Sequence, residues 1–278
     1  KCFAVCNKAM TSVTIPTNSD ELTTELGQGV FSGCSKLATV TFGDTVKTLT
    51  EVGYTDGYGG STKYSDDVDN SSLSYAYDRG LFYNCTSLKT INWGAGITKI
   101  GNIAFLNCSA LESVTIPDTV TSIGYHAFLG CSSLQTVKIG NGVTVVGRMA
   151  FRALPDLTTV TFGSKVNEIQ QQAFQDCVNL KNFTLPSSLQ YLRFKCFAGC
   201  NKAMTAVTIP TNKDELETEL GQGVFSGCTK LAKVTFGNTV KKLTGVEYTD
   251  GYGGSTKYSD DVDRSEEHTS ELQSRSDL

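Results

Sequence analysis

The sequence predicts an α/β repeat solenoid of about nine coils, and three observations carry the prediction. Phe82, Phe105, Phe128, Phe151, Phe174 and Phe197 stand 23 residues apart. A fixed period of about 20–50 residues marks a stacked array, in which each repeat buries its apolar face against its neighbours. Around each Phe one apolar pattern recurs. Residues 1–69 also recur as 195–263, with 59 of the 69 positions identical.

The coil is read element by element from its clearest copy. Val114 and Ile116 lie two apart, the spacing of a strand with both side chains on one face. Pro117, Gly140, Gly163 and Pro186 follow the equivalent strands and end them in turns. Val120 and Ile123 open a second, shorter extended piece. Gly124 and Gly147 suggest positive φ or close packing. Ala127-Phe128-x-x-Cys131 is expected to turn the chain back as one helical or 3-10 turn. Stacking coils at the strand spacing of about 4.8 Å turns each apolar position into a column. Phe at nine positions (3, 31, 82, 105, 128, 151, 174, 197 and 225) sets the count of coils.

The pattern LxxVxIPxxVxxIGxxAFxxC, complete from Leu111 to Cys131, resembles the BspA-like leucine-rich repeats. The coils between Phe82 and Phe197 fit it nearly residue for residue, and the flanking coils fit with insertions. The resemblance implies a right-handed leucine-rich-repeat coil. It also implies a surface or secreted protein of host-associated bacteria or protists, acting in binding and adhesion and not in catalysis.

The offset of 194 residues between the two copies describes one seven-coil super-repeat and the beginning of the next. The chain starts inside a coil without Met, so a longer natural protein is expected. The domain reading is a single solenoid over 1–263. After Asp263 the match with the first copy stops. Arg264–Ser274 looks like the conceptual translation of a sequencing-adapter oligonucleotide, so 264–278 is set apart as a non-native tail. Its two Arg and four acids carry half of the formal net charge of −4. No basic stripe points to nucleic acid. No apolar run of about 18 residues points to membrane insertion.

Ten Cys suggest a disulfide framework until they are placed in register. Cys6, Cys34, Cys85, Cys108, Cys131, Cys177, Cys200 and Cys228 share one column, and Leu154 takes the same slot in the Phe151 coil. A slot that accepts Leu wants an apolar filler, so free buried thiols are expected. Cys2 and Cys196 replace Ala of other coils. No C-x-x-C spacing points to zinc. His126 stands where Met149 and Gln172 stand in other coils and reads as a surface residue. No nucleophile–base pair and no Walker spacing is present, so the chain is not read as an enzyme and no cofactor is expected.

Two outward columns flank the strand. One runs Thr14, Thr41, Asn92, Thr115, Lys138, Thr161, Thr184, Thr208, Thr235. The other runs Ser12, Thr39, Thr90, Ser113, Thr136, Thr159, Asn182, Ala206, Lys233. Thr is a good exposed-strand residue, and a polar docking sheet is the functional alternative. The segment from Leu49 to Phe82 spends 33 residues where Ile123 to Phe128 spends 5. This insert, 51–78, has a partial copy at 245–263. Long Tyr- and Gly-rich excursions from a rigid scaffold favour binding. The candidate ligand-binding residues are Tyr54, Asp56, Tyr58, Tyr64, Asp66, Asp67 and Asp69, with Tyr248, Tyr252 and Tyr258 in the copy. Asp66–Asn70 lacks the spacing and distal Glu of a calcium loop, and no metal is assigned. Thr17–Gly29 reads as a short helix capped by Asn18, Glu21 and Gly27. Of the glycosylation sequons, Asn84 and Asn107 precede core Cys, and Asn70 is better placed.

The expected function is a non-enzymatic cell-surface or secreted adhesion protein. Its partner is a host or matrix protein or glycan, with no nucleic acid. A structural stalk and an accessory region of a larger secreted enzyme are the alternatives.

Overall fold

The computed structural model describes residues 9–19, 24–26, 29–49, 80–243, 248–249 and 255–256. Each coil crosses two parallel sheets and then a wall of turns. The first sheet side carries β1 (Ser12–Ile15), β3 (Thr39–Phe42), β5 (Thr90–Asn92), β7 (Ser113–Thr115), β9 (Thr136–Lys138), β11 (Thr159–Thr161), β14 (Ala206–Ile209) and β16 (Lys233–Phe236). The second carries β2 (Thr24–Leu26), β4 (Val46–Leu49), β6 (Lys99–Ile100), β8 (Ser122–Ile123), β10 (Val145–Val146), β12 (Glu168–Ile169), β13 (Tyr191–Leu192), β15 (Thr218–Leu220) and β17 (Val240–Leu243). The second sheet is continuous, in the order β17-β15-β13-β12-β10-β8-β6-β4-β2. The first is divided into β1-β3-β5, β7-β9-β11 and β14-β16. Where β11 gives way to β14, Phe183 occupies a slot filled by Val in coils such as those of Val160 and Val207, and only Thr184 bridges to Thr208.

Period-two burial is visible in strands such as β7, β9 and β11. Val114 and Ile116 are buried while Ser113 and Thr115 between and beside them are exposed. The inward residues stack into one core with a continuous ladder of rings. Phe31, Phe82, Phe105, Phe128, Phe151, Phe174 and Phe197 follow at centroid distances of 5.1–5.3 Å with near-parallel planes. Phe225 closes the series at 5.9 Å. These eight rings are separated by seven coil-to-coil steps, a solenoid of about seven turns. Phe3, the first ring of the expected nine, lies outside the described residues.

The third side corrects the α/β expectation: among the described residues there is no helix. A helix closes its N–H groups on its own carbonyls in an unbroken run, whereas here local turns such as Cys108 N–H to Phe105 O at 3.2 Å alternate with N–H groups that reach the next coil. The N–H of Phe105 donates to Ala127 O at 2.9 Å, that of Phe128 to Ala150 O at 2.8 Å and that of Phe151 to Ala173 O at 2.8 Å. Two left-handed residues per coil aim these groups sideways. The first column is Ile103, His126, Met149, Gln172 and Lys195, with φ of 51–58°. The second includes Asn84, Asn107, Ala153 and Asp176, with φ of 55–63°. Left-handed geometry costs a non-glycine residue about 1–2 kcal/mol. The ladder bonds, worth about 0.5–1.5 kcal/mol each, offset it.

The cysteine column has a further reason to exist. Cys131 Sγ donates to Phe105 O at 3.3 Å and Cys177 Sγ to Phe151 O at 3.1 Å, each reaching the preceding coil. Cys85, Cys108, Cys200 and Cys228 repeat the contact. Cys is therefore an apolar filler that also gives a buried carbonyl its second hydrogen bond. Leu154 fills the slot without that donor. Cys34, Cys85, Cys108, Cys131, Cys177, Cys196, Cys200 and Cys228 are buried and outside any disulfide, while Cys2 and Cys6 lie outside the described residues.

Two further expectations need correction, and one open alternative is decided. His126 is buried, at 3% exposure, with its ring 5.2 Å from that of Tyr125 and its Nε2 2.8 Å from Met149 Sδ. The helix expected in Thr17–Gly29 is not seen among the described residues: Thr24–Leu26 form β2, and the duplicate Thr218–Leu220 forms β15, because the coil must supply a strand to the second sheet. There Asn212 accepts the N–H of Asp214 at 2.9 Å and donates to Leu189 O at 2.9 Å, which makes a turn and not a helix cap. Gly124 and Gly147 serve close packing and not positive φ: a Cβ on Gly147 would lie 2.4 Å from Ile123 O.

Candidate binding surface

The outward columns exist as read, in register across each segment of the first sheet. Ser12 pairs with Thr39 and Thr39 with Thr90, while Thr14 pairs with Thr41 and Thr41 with Asn92. Ser113, Thr136 and Thr159 form the next run, beside Thr115, Lys138 and Thr161. Ala206 and Lys233 follow, beside Thr208 and Thr235. Most of these residues are exposed. Part of their capacity is spent within the ladder: Asn92 Nδ2 donates to Thr41 Oγ1 at 3.0 Å. Asn182 Oδ1 accepts from the N–H groups of Thr205 and Ala206 at 2.9 and 3.2 Å, so this amide substitutes for a strand. The face is polar and nearly uncharged, and lysines 138 and 233 are its charged exceptions.

The inserts are placed by their roots. The first leaves after Leu49, the last residue of β4, and returns at Gly80. Its copy leaves after Leu243, the last residue of β17. Both strands belong to the same continuous sheet, seven positions apart in its order. At about 4.8 Å per strand the two roots lie about 34 Å apart. Tyr54, Asp56, Tyr58, Tyr64, Asp66, Asp67 and Asp69 lie outside the described residues, as do Tyr252, Tyr258, Asn70 and the tail 264–278. Tyr248 falls in β18 (Tyr248–Thr249), which pairs antiparallel with β19 (Ser255–Thr256). Tyr248 is thus the member of the candidate set that falls within the described residues.

A feature not singled out in the sequence lies on the wall of turns. Ile103 and Leu106 form a small apolar cluster apart from the main core, with Tyr83, Tyr125 and Leu129 packed against it. Beside it, His126 Nε2 lies 2.8 Å from Met149 Sδ, and Arg152 donates to the same sulfur at 3.6 Å. Burial, then the charges of Arg148 and Arg152, push the His126 pKa down to about 4. At neutral pH this imidazole is uncharged and packs as part of the wall. The signal was available in the 23-residue register, where His126 aligns with Ile103 and Met149. On the second sheet, Arg193 donates from Nε to Glu168 Oε1 at 2.7 Å, reaches Glu219 Oε2 from Nη1 at 3.7 Å and sets its guanidinium carbon over the Tyr191 ring at 4.2 Å. This half-exposed cluster ties three coils together. Burial raises the pKa of Cys85, Cys131 and Cys177 to about 12, so these thiols stay protonated and poorly nucleophilic.

Comparison with solved structures returns bacterial leucine-rich-repeat proteins. A leucine-rich repeat protein from Bacteroides ovatus is 23% identical with a TM-score of 0.52; the match covers 81% of this chain and 63% of that one. The chain thus spans less than two thirds of the length of that relative. The leucine-rich repeat protein of T. pallidum is 23% identical with a TM-score of 0.50, covering 80% and 78%. A leucine rich cell surface protein from Faecalibacterium prausnitzii is 23% identical, covering 84% and 72%, with a TM-score of 0.47. The first two likenesses show the fold. No curated protein matches the sequence. Among the described residues no helix is long and apolar enough to cross a membrane. The family model for the BspA type leucine rich repeat region matches in six copies, over residues 1–56, 76–204 and 201–246. Three-quarters or more of the chain lies within that match, and the chain belongs to the BspA-type leucine-rich-repeat family.

Proposed function

We propose that this chain is a non-enzymatic binding and adhesion module, displayed at a cell surface or secreted, that presents its two Tyr/Asp inserts to a host or matrix protein or glycan. One observation carries the reading. The two inserts leave the same end of strands in one continuous parallel sheet, so a single body holds both roots about 34 Å apart. Two weak sites held this way gain avidity for a repeating target. Tyr58 and Tyr64 are the proposed anchors, as rigid amphipathic rings in a polar segment. The test replaces 51–78 with a short Gly-Ser turn and measures adhesion to host cells and extracted matrix. Adhesion should fall markedly. Unchanged adhesion would move the site to the Thr-lined sheet or off this chain.

A second reading, a structural spacer, is favoured by the unbroken ladder of rings from Phe31 to Phe225. A spacer would tolerate loss of both inserts with no change in any binding assay.

A further inference from the structure

The wall of turns changes chemistry along the stack. Arg148 and Arg152 hold the positions that Tyr125 and Leu129 hold one coil earlier, and Gln171 and Gln175 hold them one coil later. Tyr125 and Leu129 pack on the apolar cluster of Ile103 and Leu106. The two guanidiniums therefore stand between an apolar stretch and a stretch of amides. Both belong to one locality, because the charges of both act on the His126 ring. Arg148, Arg152, Gln171, Gln172 and Gln175 are half-buried.

The backbone of Arg148 is tied down while its guanidinium is not. Its N–H donates to Gln170 Oε1 at 3.1 Å, and its carbonyl accepts the N–H of His126 at 3.0 Å. Its Nε is buried without a hydrogen-bond acceptor, and among the described residues no carboxylate pairs with the side chain. Arg152 donates from Nη1 to Met149 Sδ at 3.6 Å. Its Nε lies 4.0 Å from Asp176 Oδ2, a long contact to a side chain that is 46% exposed. Such a contact contributes little. Gln175 Oε1 is also buried without a donor. A buried donor without an acceptor is costly, and a ligand that supplies one relieves the cost.

We propose that Arg148 and Arg152 form an oxyanion site on the wall of turns, which binds the carboxylate or sulfate of an acidic saccharide. The planar guanidinium matches two oxygens of such a group at once. The amides of Gln171, Gln172 and Gln175 each donate and accept, which suits hydroxyl groups beside the acid. A peptide rich in carboxylates would call for further cations where these amides stand. The site shares no residue with the inserts 51–78 and 245–263.

Calorimetry on the full chain tests it, with trigalacturonic acid, a sulfated chondroitin disaccharide, neutral maltotriose, inorganic sulfate and a Glu-rich peptide as probes. The two acidic saccharides should bind and maltotriose should not. Arg148→Gln and Arg152→Gln should each weaken that binding about tenfold at unchanged Tm, and Arg148→Lys should lose less. With either acidic saccharide bound, NMR titration should show the His126 imidazole protonating at higher pH, because the anion offsets the two positive charges. His126→Gln assigns that signal. Replacing 51–78 with the Gly-Ser turn should leave this binding in place, so its failure is separable from that of the insert reading. Equal binding of maltotriose, unchanged affinity in the Arg148→Gln/Arg152→Gln double variant, or an unmoved His126 titration would overturn the proposal. Sulfate or the Glu-rich peptide binding as tightly as the saccharides would overturn the saccharide assignment.

Discussion

Replacing Phe128 with Ala opens the middle of the ring ladder. Phe128 is fully buried, with Phe105 at 5.2 Å on one side and Phe151 at 5.1 Å on the other. A buried Phe→Ala change costs about 3–5 kcal/mol. The upper half of that range is expected, because two stacked neighbours each lose a face and such pairs add about 0.5–1.5 kcal/mol. Phe225→Ala, half-buried with its stacked partner Phe197 at 5.9 Å, should cost about half as much. Thr161→Ala on the outer face should stay within about 0.5 kcal/mol. Urea unfolding followed by circular dichroism and by the fluorescence of the single Trp93 gives all three. Each coil leans mainly on its neighbours, so the hole at Phe128 should also separate the two signals. A cost for Thr161→Ala equal to that of Phe128→Ala would refute the assignment of inside and outside.

Alkaline stability should follow the thiols. Folded Cys85, Cys131 and Cys177 titrate near 12 against an ordinary 9.0, so their contribution is complete below pH 9 and is lost as pH climbs toward 12. Urea midpoints across that window should fall, and less steeply in Cys131→Val. His126 acts at the other end: its folded pKa near 4 against 6.5 makes its contribution present above pH 6.5 and lost as pH falls toward 4. At ~1.36 kcal/mol per unit this is about 3 kcal/mol, and His126→Gln should flatten the acid limb of the stability curve. Gln172→Gly should stabilise by roughly 0.5–1 kcal/mol in thermal melts, since Gln172 holds φ of 58° where Gly29 and Gly223 stand in other coils.

The sequence made the strands and the core legible because their signals are local. Val114 and Ile116 two apart, and Phe every 23 residues, predict facing and stacking directly. The wall of turns was not legible in the same way. Whether Ala127-Phe128-x-x-Cys131 coils on itself or bonds sideways depends on a neighbouring coil, which no local spacing records. The same cause hid β2, a strand drawn into the sheet by its neighbour β4 and read as a helix from its capping residues. His126 was misread for a different reason. Comparison with Gln172 suggested an exposed slot, yet His126 is buried like Ile103 and Met149, and Gln172 and Lys195 are only half-buried there. Of the candidate site, the outward Thr columns and the roots of the inserts follow from the register. The Tyr and Asp residues beyond those roots belong to an excursion that the repeat period does not constrain.

The central claim is that one continuous stack carries both insert roots at a set separation. Pulsed electron resonance between spin labels at Lys47 in β4 and Lys241 in β17 tests it most directly. The account predicts one narrow distance distribution centred at about 34 Å, seven strand spacings, broadened only by the label arms. A broad distribution, or a centre displaced by two or more strand spacings, would contradict it.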